Sequence, residues 1–243
     1  MNMPEVRPAA PTIFLFLATA LLAQPAVVSP TAQGFPFADE TLNYNLTFSS
    51  GINLGKASFA AHKNATRGWT FNLTVDASLP GFPIVDRFNS GTGLDLCSIH
   101  FDRDYQHGRF RKAQEVIYFD RGRSMAVRST KNGGGISEIP VGLCPHDGLS
   151  FLYLLRRELG QGRIPPNDVV IAGAAYRISM VYDGEKSYTL NKQAVRGDQV
   201  ICTIKGPASE TRLEIFFARD AARTPLLIRC PLKLGTFTLE LVR

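Results

Sequence analysis

From Leu42 to Phe48 the chain places an apolar residue at every second position: Leu42, Tyr44, Leu46 and Phe48. That two-residue period belongs to a strand with one buried face. Trp69, Phe71, Leu73 and Val75 repeat it, as do Tyr176, Ile178, Met180 and Tyr182, then Leu213, Ile215 and Phe217, and finally Phe237, Leu239 and Leu241. Between the runs stand Ser50-Gly51, Arg67-Gly68, the stretch Asn132 to Gly135, Asp183-Gly184 and Gly206-Pro207, residues that meet the backbone needs of turns. Asp183-Gly184 is the strongest hairpin signal, because a type I′ turn requires positive φ at both central residues. The pattern predicts about ten to twelve strands joined mostly by antiparallel turns.

One segment breaks the alternation. Asp147 to Leu159 contains no Pro and no β-branched residue, begins with a good N-cap in Asp147, and stops at Gly160. This predicts a helix near 147–159, with Ser150 sharing the cap. Its apolar residues occupy nearly the whole circumference, so the helix is expected to be buried, plugging or crossing a curved sheet. Arg156 and Arg157 fall in its last turn, where the helix dipole favours positive charge; capping is the reading preferred over anion binding. The fold expected is therefore mainly β, a single β-rich domain over 38–243 with one buried helix.

The 243 residues are long enough for a full core. Thr12 to Val28 is almost wholly apolar, but its compact part, Ile13 to Ala23, is too short for a membrane span of roughly 20 residues. Residues 1–32 read as a signal peptide and leader, with cleavage after Ala23, Ser29 or Ala32 left open. No permanent membrane anchor is expected. No cysteine precedes Cys97, which leaves none near the cleavage region to carry a lipid. The expected location is outside the cytoplasm, periplasmic or secreted.

That compartment gives the four cysteines their meaning. Cys97, Cys144, Cys202 and Cys230 suit two disulfides in an oxidising environment. Of three connectivities, Cys97–Cys144 with Cys202–Cys230 is the expected one, because each bridge closes a moderate loop. A metal site is not expected: no two cysteines have C-x-x-C spacing and no His pair completes a ligand set.

Charge adds one surface. The chain carries 27 Lys and Arg against 21 Asp and Glu, a net of +6, and the stretch Asp102 to Lys131 alone contributes +4. Read as a β-ribbon, it presents Arg109, Arg111, Arg121 and Arg123 as candidate contacts for anionic lipid head groups or acidic envelope polymers; a plain solvated face is the competing reading. Interleaved aromatics would suit nucleic acid, but an exported protein seldom meets it, and no nucleic-acid partner is expected.

Catalytic chemistry finds little support. His146, Asp147 and Ser150 are too close in sequence at a helix start to face one another as a triad, and a nucleophile elbow's second glycine is missing. A hydrolase would have to draw on Asp86, Asp147, Ser150, Asp220 and Arg223, which turns and caps already account for. No catalytic residue and no cofactor is expected, and nothing signals an oligomeric state.

Several segments resemble the bacterial family known as domain of unknown function 3108. They are Leu42-Asn43-Tyr44 with Gly51 to Gly55, Asp147 to Arg156, Tyr182 to Lys186, Phe217 to Leu226, Gly235 and Leu241. The resemblance implies an envelope protein whose curved antiparallel sheet, a β-spiral or half-open barrel of lipoprotein-carrier shape, wraps a helix. It carries no catalytic residues across. The expected role is non-enzymatic binding of an apolar or amphiphilic envelope component, or of a protein partner, in the concavity. The alternative is an envelope scaffold docking through the basic ribbon 102–131.

Overall fold

In the computed structural model, which describes residues 39–242 apart from 50, 65–67, 80–81, 132 and 233–234, fourteen strands form one antiparallel sheet. The signal peptide and leader expected over 1–32 lie outside the described residues. The first eight strands are β1 (Glu40–Phe48), β2 (Asn53–Asn64), β3 (Gly68–Leu79), β4 (Phe82–Thr92), β5 (Ser98–His107), β6 (Arg111–Asp120), β7 (Met125–Thr130) and β8 (Gly135–Pro140). A helix, α1 (Gly148–Gly160), follows. The chain then adds β9 (Asp168–Ile171), β10 (Ala175–Leu190), β11 (Gln193–Lys205), β12 (Glu210–Ala218), β13 (Pro225–Leu232) and β14 (Gly235–Leu241).

Every neighbour in the sheet is the next strand in sequence, with one exception. β1 pairs with β14, Tyr44 opposite Leu241 and Phe48 opposite Phe237, so the first and last strands lie in the middle of the sheet. The two edges are β8 and β9, consecutive in the chain and joined through α1. A sheet this wide twists and curls, and α1 lies in its concavity. The connection also blunts one edge: His146 bridges Val170 in parallel, its carbonyl accepting from the Ile171 amide. The inner face is made by the alternation seen in the sequence. Tyr44, Phe59, Trp69, Phe71, Phe101 and Ile117 are buried with Leu149 and Tyr153 of the helix.

Asp183-Gly184 is not a hairpin turn. β10 continues through it, and the register with β11 slips between Tyr182 and Glu185, so the positive φ of Gly184 (+82°) serves a β-bulge. The turn comes at Asn191-Lys192, both left-handed at φ +49° and +66°, as a type I′ turn demands. Opposite the bulge, any Cβ on Gly197 would sit 2.2 Å from the Phe217 carbonyl. The bend folds the far half of the β10–β11 hairpin over the sheet's outer face. Tyr188 meets Phe216 edge to face, and the turn hydrogen-bonds Glu240 and Leu241. Leu190, Phe216, Leu226 and Leu227 thereby become a second small core.

Asp198 holds this bend together, accepting from Tyr182 Oη (2.9 Å), Arg219 and Arg223 (2.7 Å to Nη1). Burial pushes its carboxyl up, but the hydrogen bonds from Arg219 and Tyr182 and the charges of Arg219 and Arg223 together hold it below the usual range. A lowered folded pKa stabilises above the unfolded value of about 3.9 and is lost as pH falls through the lowered one. Asp198→Asn should therefore flatten the acid limb of the stability–pH curve below about pH 4 and leave its alkaline limb unchanged in slope, as read by urea denaturation.

Cys97, in the β4–β5 loop, is bonded to Cys144, ahead of the helix, with Cα atoms 4.9 Å apart. The second expected bridge does not form: Cys202 and Cys230 are free thiols. They sit on β11 and β13 with β12 between them. Two strand spacings amount to about 9.5 Å, beyond the span of a disulfide, which needs Cα atoms within about 7 Å. Burial pushes the Cys202 thiol up to about 12. The oxidised protein should have lost two hydrogens by intact mass, with Cys202 unreactive to Ellman's reagent until denatured; a loss of four would refute this strand placement.

Candidate functional site: an apolar cavity beneath the helix

Buried polar groups tie both ends of α1 to the sheet. At its start, Asp147 accepts from the amides of Leu149 (2.8 Å) and Ser150 (3.0 Å), while Ser150 Oγ accepts from the Asp147 amide (2.9 Å). This is a reciprocal capping box. The other carboxylate oxygen accepts from Ser90 of β4 and Ser98 of β5, each at 2.6 Å. The cap is thus also the anchor. At its end, Arg156 is not the dipole-facing cation expected from its position; that place falls to Arg157. Arg156 is 1% exposed and grips the Glu40 carboxylate of β1 with both terminal nitrogens, while Nε donates to the Ala222 carbonyl at 3.0 Å. Its guanidinium also lies over the Tyr153 ring, itself stacked on Phe71 at 3.9 Å. Burial raises the hydroxyl pKa values of Tyr44 and Tyr153 well above the ordinary value, so both stay neutral beside this pair.

Held at these points, the helix does not fill the concavity. A cavity of about 430 Å³ remains between Leu149, Leu152 and Leu155 of α1 and the inner faces of β2 to β5 and β9 to β14. Phe59, Phe88, Phe101, Ile178, Leu213, Ile215 and Leu239 line it, and Cys202 borders it. Among the described residues Arg103 is the only charged side chain in the wall. It donates to Glu115 Oε2 (2.9 Å) and to the Ala172 carbonyl (2.7 Å), and Arg128 approaches the same carboxylate at 3.6 Å. Beyond Arg103 and Phe88, which belong to both, lies a polar cleft of about 390 Å³ formed with Asp86, Tyr105, His107, Phe110, Arg111 and Lys112. An apolar interior therefore borders a cation-rich cleft, with Arg103 and Phe88 forming the wall common to both.

The sequence candidates distribute unevenly around this site. Arg111 lines the cleft, and Arg109 is exposed on the same β5–β6 turn. Arg121 and Arg123 lie beyond the far end of ten-residue β6, about 30 Å away, and are paired with Asp95 and Glu138. The four do not make one patch. The polar residues a hydrolase would need are each committed elsewhere: Asp86 to His107, Asp147 and Ser150 to the cap, Asp220 to Thr224, Arg223 to Asp198. His146 faces Asp168 rather than Ser150. Among the described residues no cluster of three or more His, Cys, Asp or Glu could hold a metal, and no helix is long and apolar enough to cross a membrane.

Sequence reasoning missed Ser90, Ser98, Glu40 and Arg103. The first three are partners across the sheet with no local pattern; Arg103 could have been singled out as a cation on the apolar-facing phase of β5, two residues from Phe101.

Residues 43–242 match the family described as protein of unknown function (DUF3108). The chain belongs to that family. None of the curated proteins compared matches it. Its fold is similar to a beta-barrel-like protein of domain of unknown function DUF1849 from Brucella abortus, at 11% identity and a TM-score of 0.64, covering 85% of this chain and 97% of the other. At that identity the likeness speaks of fold alone. For a DUF3108 protein the segment Asp147 to Arg156 now has a physical meaning, since its first residue anchors one end of the buried helix and its last the other.

Replacing Glu40 with Gln strands the Arg156 charge in the interior and should cost about 3 kcal/mol. Glu40→Met combined with Arg156→Met should recover most of that loss, because two apolar side chains of similar volume replace the pair. Chemical denaturation of the single and double variants checks both halves.

Proposed function

We propose that this protein is an exported, non-enzymatic binder of an amphiphilic envelope component, whose acyl portion occupies the cavity and whose anionic head group lies in the cationic cleft. The observation that supports it best is the 430 Å³ space lined almost wholly by aliphatic and aromatic side chains, within the range of about 300–1,000 Å³ common for small-molecule sites. Burying apolar chain there is favourable by roughly 25 cal/mol per Å². With Arg103 balanced by Glu115, Arg111 and Lys112 against Asp86 still give the adjoining cleft an excess of positive charge. At the cleft's rim the β5–β6 turn presents Phe110, 97% exposed, between Arg109 and Arg111. An aromatic flanked by cations is the composition of a segment that touches an anionic membrane surface. Export is supported by the apolar leader and by the disulfide. The scaffold alternative is weaker, since half of its basic ribbon is already paired.

A fluorescent fatty acid titrated into the purified protein should bind at one site with low salt dependence, the apolar part dominating. Leu213→Trp, which fills the cavity, should weaken it at least tenfold, whereas Arg111→Ser should weaken the fatty acid but not its uncharged methyl ester. Binding unchanged in Leu213→Trp would place the ligand elsewhere and remove the basis of the reading.

A further inference from the structure

The disulfide lies in chemical surroundings that a purely structural bridge does not need. Cys97 is 2% exposed, whereas Cys144 is exposed at the surface. Two residues on from Cys144, in the sequence Cys144-Pro145-His146, the imidazole Nε2 stands 3.7 Å from the Cys144 sulfur. That histidine is 6% exposed, and its Nδ1 is held at 2.8 Å by the Asp168 carboxylate. The Phe151 ring stands edge-on to it. The titratable groups facing the imidazole are Cys144 and Asp168. A carboxylate behind an imidazole fixes the orientation of the ring, and here it aims the other ring nitrogen at the Cys144 sulfur.

We propose that Cys97 and Cys144 are a redox-active pair that exchanges with the dithiol of a polypeptide partner, Cys144 as the exchanging sulfur, Cys97 as the resolving one and His146 as the charge partner. A partner thiolate attacks Cys144 Sγ; the Cys97–Cys144 bond breaks, a mixed disulfide forms, and Cys97 leaves and takes up one proton. The partner's second thiolate then attacks its own sulfur in the mixed disulfide and releases Cys144 as a thiolate, the second proton residing on His146. Two electrons pass from the partner dithiol to this protein, and the reverse sequence oxidises the pair again. Of the two residues Cys144 is the exposed one and Cys97 is buried, which selects Cys144 as the point of attack.

A polypeptide, rather than a small thiol, fits the surface. Leu143 and Leu94 are 81% and 65% exposed on the two loops the disulfide joins. Arg121 ties those loops together, donating to the Leu143 carbonyl and to Asp95. Leu96, beside Cys97, is held at φ +71°, a left-handed conformation that leucine rarely adopts. This activity is independent of what the cavity holds.

Site-specific alkylation of the reduced protein with iodoacetamide, read by peptide mass at a series of pH values, tests the assignment. Cys144 should react as a thiolate at a lower pH than an ordinary cysteine, whose pKa is about 8.5. His146→Gln should move its reactivity back to that of an ordinary cysteine, with Asp168→Asn, which leaves the imidazole in place, intermediate. Exchange of the oxidised protein with a dithiol reporter peptide at pH 7 should slow about fivefold in His146→Gln. It should also outpace exchange with glutathione at equal thiol concentration, and in Cys97→Ser the Cys144 thiolate, offered the disulfide form of the peptide, should displace one peptide sulfur as a thiol and hold the other as a mixed disulfide that Cys97 is no longer there to resolve. A Cys144 thiol titrating near 8.5 in the unsubstituted protein, or a rate indifferent to both substitutions, would overturn the redox role. Equal rates with peptide and glutathione would overturn the polypeptide partner.

Discussion

Arg156 brings a full charge into the interior, and the Glu40 carboxylate makes that tolerable. Neither residue is exposed enough for water to substitute for the other, so the end of α1 has one place to sit. Asp147 imposes the same demand at the other end, where two serines from adjacent strands must point at it. A helix fixed by polar contacts at both termini cannot slide or sink to optimise its apolar middle. The space under Leu149, Leu152 and Leu155 persists for that reason. Voids normally cost stability through lost contacts; here the anchoring energy sustains one.

Topology makes the same point from the sheet's side. Pairing β1 with β14 places the first and last strands in the middle of the sheet and leaves as edges the two strands that flank the helix segment. Curling therefore brings the helix-bearing connection over the concavity. The disulfide then joins the approach to the helix to the β4–β5 loop, close to where Ser98 meets Asp147. Backbone curvature, buried anchors and covalent link converge on the position of one element.

The sequence made the strands and the helix legible because both rest on local periodicity. Leu42 to Phe48 and Asp147 to Gly160 could be read directly, and Asp147 as a cap followed from residue type. Asp183-Gly184 misled because a glycine at positive φ serves a bulge as readily as a turn, while the actual turn, Asn191-Lys192, contains no glycine. Cys202 and Cys230 misled because loop length says nothing about an intervening strand. Arg156 looked like a dipole partner because a helix sequence does not show which face meets Glu40, 116 residues away. The cavity had only an indirect signature, an excess of large apolar residues facing inward from both helix and sheet.

Under the proposed function, the cavity sustained by anchored ends and bordered by a cationic cleft holds one amphiphile per chain. The most direct test is to purify the protein from the cells that make it under mild conditions, extract it with organic solvent, and identify and quantify what is released by mass spectrometry. A single class of anionic, acyl-bearing molecule in stoichiometric amount is the result expected. Protein that is folded, carries its disulfide and releases nothing beyond solvent would contradict the account.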